Sequence, residues 1–185
     1  LIFTDIPNQH IWKLNLKTLD TTLFRDETGG ANGLAFDLAG RLLMCKQREK
    51  SLARLEEDGT ETVLLKPTRI GANKKIYPVE VNDVVVDRKG RIYVTVPGAG
   101  SIYLLDPDGG NPRRVISGLK GPNGLMLSPD EKTLYVSEYK EQKLHAFDVD
   151  PKTGNPSNQR LFSEVEQPSD YGCDGMTVDL SLIHI

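Results

Sequence analysis

One pattern recurs four times along the chain. Asn32-Gly33-Leu34-Ala35-Phe36-Asp37 is followed by a polar stretch ending Gly40-Arg41, then apolar Leu42 to Cys45. Asn82-Asp83-Val84-Val85-Val86-Asp87 leads through Gly90-Arg91 into Ile92 to Thr95, and Asn123-Gly124-Leu125-Met126-Leu127-Ser128 leads through Asp130 into Thr133 to Val136. A fourth copy opens at Asp174-Gly175-Met176-Thr177-Val178-Asp179. The copies start at 32, 82, 123 and 174, so the spacings are 50, 41 and 51 residues. Each complete copy reads as a strand, a polar turn and a second strand. Between the copies lie second hairpins, with alternating runs such as Ser51–Leu55, Ser101–Leu105 and Lys143–Phe147 broken by Gly, Pro, Asn and Asp turns. Four strands in a period of roughly 40–50 residues predict the blades of a β-propeller. No helical period competes with this reading, and a β-sandwich would not repeat itself at this spacing.

The expected class is therefore all-β, a six-bladed β-propeller in the intact protein, of which this chain covers between three and four blades. Six blades of roughly 50 residues need about 300 residues, against 185 here. Residues 1–179 are read as a partial propeller domain whose open edges would favour aggregation and leave the isolated piece inactive. The chain opens without Met inside the apolar run Leu1-Ile2-Phe3. Residues 180–185, Leu-Ser-Leu-Ile-His-Ile, match the translation of a transposon adapter end used in sequencing libraries, so they are read as a non-native tail; the other reading is a native strand.

Charge narrows the partners. Twenty-three Lys and Arg against 26 Asp and Glu leave a net charge of −3, with no basic face for nucleic acid. No apolar run approaches the ~18 residues of a membrane-spanning helix. The cluster Lys46, Arg48, Lys50, interrupted by Gln47 and Glu49, is expected to be a solvated loop. Cys45 and Cys173 stand far apart and read as buried free thiols, which tilts towards a reducing, cytoplasmic compartment, with periplasmic or secreted locations left open. Oligomeric state is not legible.

The first residue of each inner hairpin is Asn32, Asn82, Asn123 or Asp174. In a propeller, equivalent positions of successive blades converge on the central channel. Amide and carboxylate oxygens gathered there suit a hard divalent cation, Ca²⁺ foremost, whereas no His/Cys set favours zinc. Asn-Gly and Asp-Gly are also ordinary turn dipeptides, so the position in the channel carries the functional reading.

Leu1-Ile2-Phe3-Thr4-Asp5-Ile6-Pro7-Asn8, Asn82-Asp83-Val84-Val85-Val86, Gly121-Pro122-Asn123-Gly124-Leu125 with Ser128-Pro129-Asp130, and Tyr171-Gly172-Cys173-Asp174-Gly175-Met176 resemble, in order, signatures of the SMP-30/gluconolactonase/luciferin-regenerating family. The resemblance implies a six-bladed propeller, a divalent metal in the channel and hydrolysis of a lactone or related ester. It implies that Asn123 and Asp174 are metal ligands and that Asn82 lies at the metal and contacts substrate or a bound water. Asn32 matches no family ligand, and the family's remaining Glu ligand would precede Leu1. Glu80 stands where some animal members carry a substrate-binding Arg, which puts a preference for sugar-acid lactones in doubt. Asp174, the one carboxylate of the set, is the expected general base. His10 and His145, on outer strands, are not expected to act, and Cys45 and Cys173 are expected to fill space. The turn after Pro97, Gly98-Ala99-Gly100, lacks the Lys-Ser/Thr and helix of a phosphate loop and reads as a connection. The polar segment from Lys66 to Lys75 is expected to lead onto the channel face. The other function these residues allow is a non-catalytic propeller that binds a ligand or protein.

Overall fold

The computed structural model describes residues 1–66, 68–70, 75–77, 80–165 and 172–178. The proposed tail at 180–185 lies outside them. The strands are β1 (Ile2–Asp5), β2 (His10–Leu14), β3 (Thr21–Arg25), β4 (Ala31–Phe36), β5 (Leu42–Lys46), β6 (Ser51–Leu55), β7 (Glu61–Leu65), β8 (Thr68–Ile70), β9 (Lys75–Tyr77), β10 (Val84–Val86), β11 (Ile92–Val96), β12 (Ser101–Leu105), β13 (Arg113–Ser117), β14 (Pro122–Leu127), β15 (Thr133–Glu138), β16 (Lys143–Val149) and β17 (Pro156–Glu164). The only helical pieces among the described residues are single 3₁₀ turns at Pro97–Ala99 and Tyr139–Glu141.

The strands form antiparallel meanders in chain order: β1-β2-β3, β4-β5-β6-β7, β10-β11-β12-β13 and β14-β15-β16-β17, with β8-β9 a separate hairpin. These are the first to fourth sheets. Inner and outer hairpins fall where the sequence repeat places them, and the turn at Pro97–Ala99 joins β11 to β12 as expected.

Packing follows from the two-residue alternation of strands. Leu42 and Met44 of β5 join Ile11 and Ala31 in a core between the first and second sheets. The intervening Leu43 and Cys45 join Leu52, Val84, Ile92 and Val94 between the second and third. Tyr93, Ile102 and Leu104 turn the other way, onto Leu125, Leu134, Val136 and Phe147 of the fourth. Both faces of the middle sheets are thus covered. This is why β5 and β11 are buried along their whole length, without the half-exposed alternation of a one-faced antiparallel sheet. A face-to-face stack of meanders in sequence order is a propeller-like arrangement.

The basic cluster is a solvated loop only in part: Arg48 and Lys50 lie exposed on the turn after β5, and Lys46 does not. Lys46 ends β5 and is buried, its ammonium paired with Glu49 at 2.8 Å and with Glu61. Arg48 reaches across to donate to the Pro7 carbonyl at 2.9 Å. Lys46 thus ties strands of the second sheet to one another and Arg48 ties that sheet to the first, because a long cationic stem covers apolar surface while its head finds oxygens at the rim.

Candidate functional site

The residues singled out at the head of each inner hairpin sit in an irregularity that repeats. In the second sheet Ala31 pairs with Lys46 and Leu34 with Met44, so Asn32 and Gly33 together face the single residue Cys45. In the fourth, Pro122 pairs with Glu138 and Leu125 with Val136, so Asn123 and Gly124 face Ser137. In the third, the Asn82 N–H donates to the Thr95 carbonyl at 3.1 Å and the Thr95 N–H to the Asp83 carbonyl at 2.9 Å, so Asn82 and Asp83 face Thr95. Two residues against one is a β-bulge, which takes a side chain out of the in-and-out alternation of its strand. Asn32, Asn82 and Asn123 are accordingly half-buried, neither core nor free surface, and Asp174 is exposed.

The bulges touch one another from sheet to sheet. The Gly33 N–H donates to the Asn82 carbonyl at 2.9 Å. A Cβ added to Gly33 would come within 2.6 Å of the Asp83 Cα, and one added to Gly124 within 2.7 Å of the Asp174 carbonyl oxygen. Glycine at these two positions is required by close backbone approach, not by turn conformation. The Asp83 carboxylate accepts from the Leu125 N–H at 3.1 Å, and the Ser137 hydroxyl donates to the Asp174 carbonyl at 2.9 Å. The segments at Asn32, Asn82, Asn123 and Asp174 are therefore linked, by backbone and side-chain contacts, into one line across four consecutive repeats.

The electrostatics of this line are anionic. Burial pushes the Asp83 carboxyl up; the N–H groups of Val84 and Leu125 pull it down; the nearby charge of Asp174 pushes it up again. The net result is a value above the usual carboxylate range. The same carboxylate acts on Cys45, whose thiol is driven well up, by burial first and by Asp83 second. Cys45 is thus held as a neutral thiol against the first bulge, a space-filling part. Cys173 is also buried and free, its thiol raised by burial.

Other sequence expectations divide. His10 is half-buried and packs edge-on against Trp12 at 5.7 Å. His145 is buried, with Nε2 2.7 Å from Glu138 Oε2 and Nδ1 3.3 Å from the Gln159 amide. Among the described contacts neither histidine touches the line of bulges. Glu80 is exposed, and its Oε2 lies 3.3 Å from where a Cβ on Gly98 would sit, which places its carboxylate over the Pro97–Ala99 turn. The polar segment after Lys66 forms the β8–β9 hairpin, with Thr68 opposite Tyr77; Pro67 and residues 71–74 lie outside the described residues. β9 leads by a few residues to Asn82, so the hairpin enters the third sheet at the end that carries the bulge.

Asp83 is the residue that sequence reasoning passed over. The signal was present: its column of the repeat holds Gly33, Gly124 and Gly175 in the other copies. The residues facing the bulges, Cys45, Thr95 and Ser137, are likewise all small, buried and capped by S–H or O–H.

Amide and carboxylate oxygens beside a second, repelling carboxylate are a donor set that suits a hard cation. Among the described residues no group of three or more His, Cys, Asp or Glu is gathered; the candidate donors are the amide oxygens of Asn82 and Asn123 and the carboxylate of Asp174.

Comparison with known proteins places the whole arrangement. A pentonolactonase of Haloferax volcanii is 35% identical over 107 residues, covering 55% of this chain and 36% of its own length. The regucalcin of Xenopus laevis is 28% identical over 193 aligned positions, covering 97% of this chain and 60% of its own. A solved gluconolactonase from Xanthomonas campestris superposes with a TM-score of 0.79 at 29% identity, over 97% of this chain and 62% of that one. The chain thus spans between about a third and three fifths of these proteins. Residues 1–181 match the SMP-30/Gluconolactonase/LRE-like region; with the repeat, the sheets and the line of bulges accounted for over that same span, the chain belongs to this family.

Proposed function

We propose that the protein is a metal-dependent hydrolase of a lactone or related ester, built as a six-bladed propeller to which this chain contributes between three and four blades. One observation carries the reading. Asn82, Asn123 and Asp174 open three successive copies of the repeat, and these are linked to one another through the Asp83 carboxylate, the Ser137 hydroxyl and the close approach of Gly124 to Asp174. The names of the relatives, a pentonolactonase and a gluconolactonase, support the substrate class.

Asn82, Asn123 and Asp174 would hold a divalent cation, Ca²⁺ foremost, which relieves the repulsion between Asp174 and Asp83. When bound, such an ion supplies Lewis-acid polarisation of the substrate carbonyl. The chain's own residues do the rest. Asp174, exposed to solvent at the end of the line, takes a proton from the attacking water. The Asn82 amide orients the substrate or that water. Asp174 serves both as ligand and as base, since it is the one carboxylate of the three.

Lactone hydrolysis and Ca²⁺ titration in the full-length protein test this. Asp174→Ala is expected to lower turnover by about 10²–10⁴-fold, the share a positioned acid–base group supplies. Unchanged turnover overturns the role of Asp174. A protein that takes up lactones without turning them over is instead a binding module.

A further inference from the structure

We propose that Asp83 is a positioning residue for this site, a carboxylate strut that sets the fourth sheet against the third and thereby fixes Asn123 relative to Asn82 and Asp174. This rests on the reading of the site given under Proposed function.

The steps along the line of bulges are not made alike. From the second sheet to the third, backbone meets backbone: the Gly33 N–H bonds the Asn82 carbonyl at 2.9 Å. Beyond the fourth sheet, Gly124 again lies directly on backbone, with its Cβ position 2.7 Å from the Asp174 carbonyl and 2.9 Å from the Gly175 Cα. The step from the third sheet to the fourth is spanned by the Asp83 side chain. Asp83 Oδ1 accepts from its neighbour Val84 at 2.9 Å, and Oδ2 accepts from Leu125 at 3.1 Å. Leu125 is where the β14 ladder resumes after the bulge, two residues from Asn123.

Asp83 is itself held at both ends. Its N–H donates to the Thr95 hydroxyl at 2.9 Å, and its carbonyl accepts from the Thr95 N–H at 2.9 Å. With main chain and carboxylate both fixed, the side chain has little freedom to lengthen or shorten the step. Gly33 makes room for it: a Cβ there would strike Asp83. A one-sided break in the glycine column is thus matched to a gap in the backbone contacts that a carboxylate fills. The two N–H donors take one carboxylate oxygen each, and an amide in the same place would turn its NH₂ towards one of them.

The test compares variants of the full-length protein that loosen the same pair of sheets in different places. Asp83→Asn and Asp83→Gly (the residue of the other copies) remove the strut. Tyr93→Phe removes a buried bond from Tyr93 Oη to the Gly154 carbonyl, 2.8 Å long, between the same two sheets. Both Asp83 variants are expected to weaken Ca²⁺ binding, read by calorimetry, by about tenfold or more and to lower kcat similarly with KM little changed. Tyr93→Phe is expected to lower the melting temperature in chelator to a comparable degree while leaving Ca²⁺ affinity and kcat within about twofold. Asp83 variants that match Tyr93→Phe in affinity and kcat overturn the inference and leave the hydrolase reading standing. Failure of both Asp83 variants to fold also overturns it, since Asp83 is then a folding residue. A wild-type protein that neither binds Ca²⁺ nor hydrolyses lactones overturns the functional reading first and this inference with it.

Discussion

At Gly33 the chain has no room for a side chain, and this is not what an Asn-Gly dipeptide ordinarily signals. The usual reason for glycine there is a turn with positive φ. Here the reason is the next sheet, whose Asn82 carbonyl and Asp83 Cα would lie 2.8 and 2.6 Å from a new Cβ. Gly33→Ala is therefore expected to destabilise by about 1–3 kcal/mol through forced backbone movement. Gly175→Ala, where nothing lies within 4 Å, should stay within about 0.5 kcal/mol. Urea unfolding of the two variants checks the contrast, and equal losses would remove the close-approach argument. The residues of the candidate site divide in the same way. Asn82, Asn123 and Asp174 could be picked from the repeat because every copy carries an oxygen-bearing side chain at that column. The acceptor role of Asp83 could not, because it depends on the Leu125 N–H forty-two residues away. Lys46 fails from sequence for a similar reason: its partner Glu61 comes from a strand two removed.

At the scale of the hairpin, the inner turns show a chemistry that the repeat displayed without explaining. Asp37 Oδ1 accepts from the N–H groups of Ala39 and Arg41, both at 2.9 Å, and Oδ2 takes the Arg41 guanidinium. Asp87 does the same with Lys89 and Arg91. In both turns Gly40 or Gly90 adopts positive φ, 79° and 82°, where a Cβ would be strained. Burial alone would push the Asp37 carboxyl up; the N–H and guanidinium of Arg41 outweigh it and hold the carboxyl below the usual range. The fourth sheet builds its turn differently, with the Ser128 hydroxyl accepting from the Thr133 N–H at 3.0 Å. Asp87 and Arg91 are both buried, so Asp87→Ala leaves a buried guanidinium without its partner and is expected to cost about 3–5 kcal/mol. The ion pair of Asp106 with Arg113, 2.9 Å long on the surface, should lose about 0–1 kcal/mol on Asp106→Ala. Denaturant midpoints separate the two, and similar losses would show that burial of the Asp87 pair is not decisive. Strand positions and turns were legible here because alternation and Gly/Asp punctuation are local signals. The arginine's further reach was not, since Arg91 also donates to the Lys152 carbonyl of the next sheet.

At the scale of the molecule, the cores of the described residues join each of the four stacked sheets to its neighbours in the stack. The three cores each join one adjacent pair of sheets. Polar ties follow the same rule: Arg54 donates to the Asp108 carbonyl at 3.1 Å between the second and third sheets, and Tyr93 to Gly154 between the third and fourth. Stability in such a stack approximates a sum over units and nearest-neighbour interfaces. Arg54→Ala and Tyr93→Phe, on different interfaces, should therefore add within about 0.5 kcal/mol in the double variant. A double-mutant cycle measures this, and a larger coupling would mean that strain passes through the third sheet. What the sequence determined by itself is the all-β class, the four-strand period, the hairpins and the column of Asn and Asp residues, because these rest on alternation, turn chemistry and repetition within one unit. What only the tertiary structure decided is how the units meet: that the Asn-Gly pairs are bulges, that their glycines lie on the next repeat's backbone, that Lys46 is buried, and that one carboxylate replaces a backbone contact. The bulges and the burial of Lys46 depend on how strands pair within a sheet, whereas the glycine contacts and the Asp83 bond join residues some forty to fifty positions apart, whose distances are set by the packing of whole sheets.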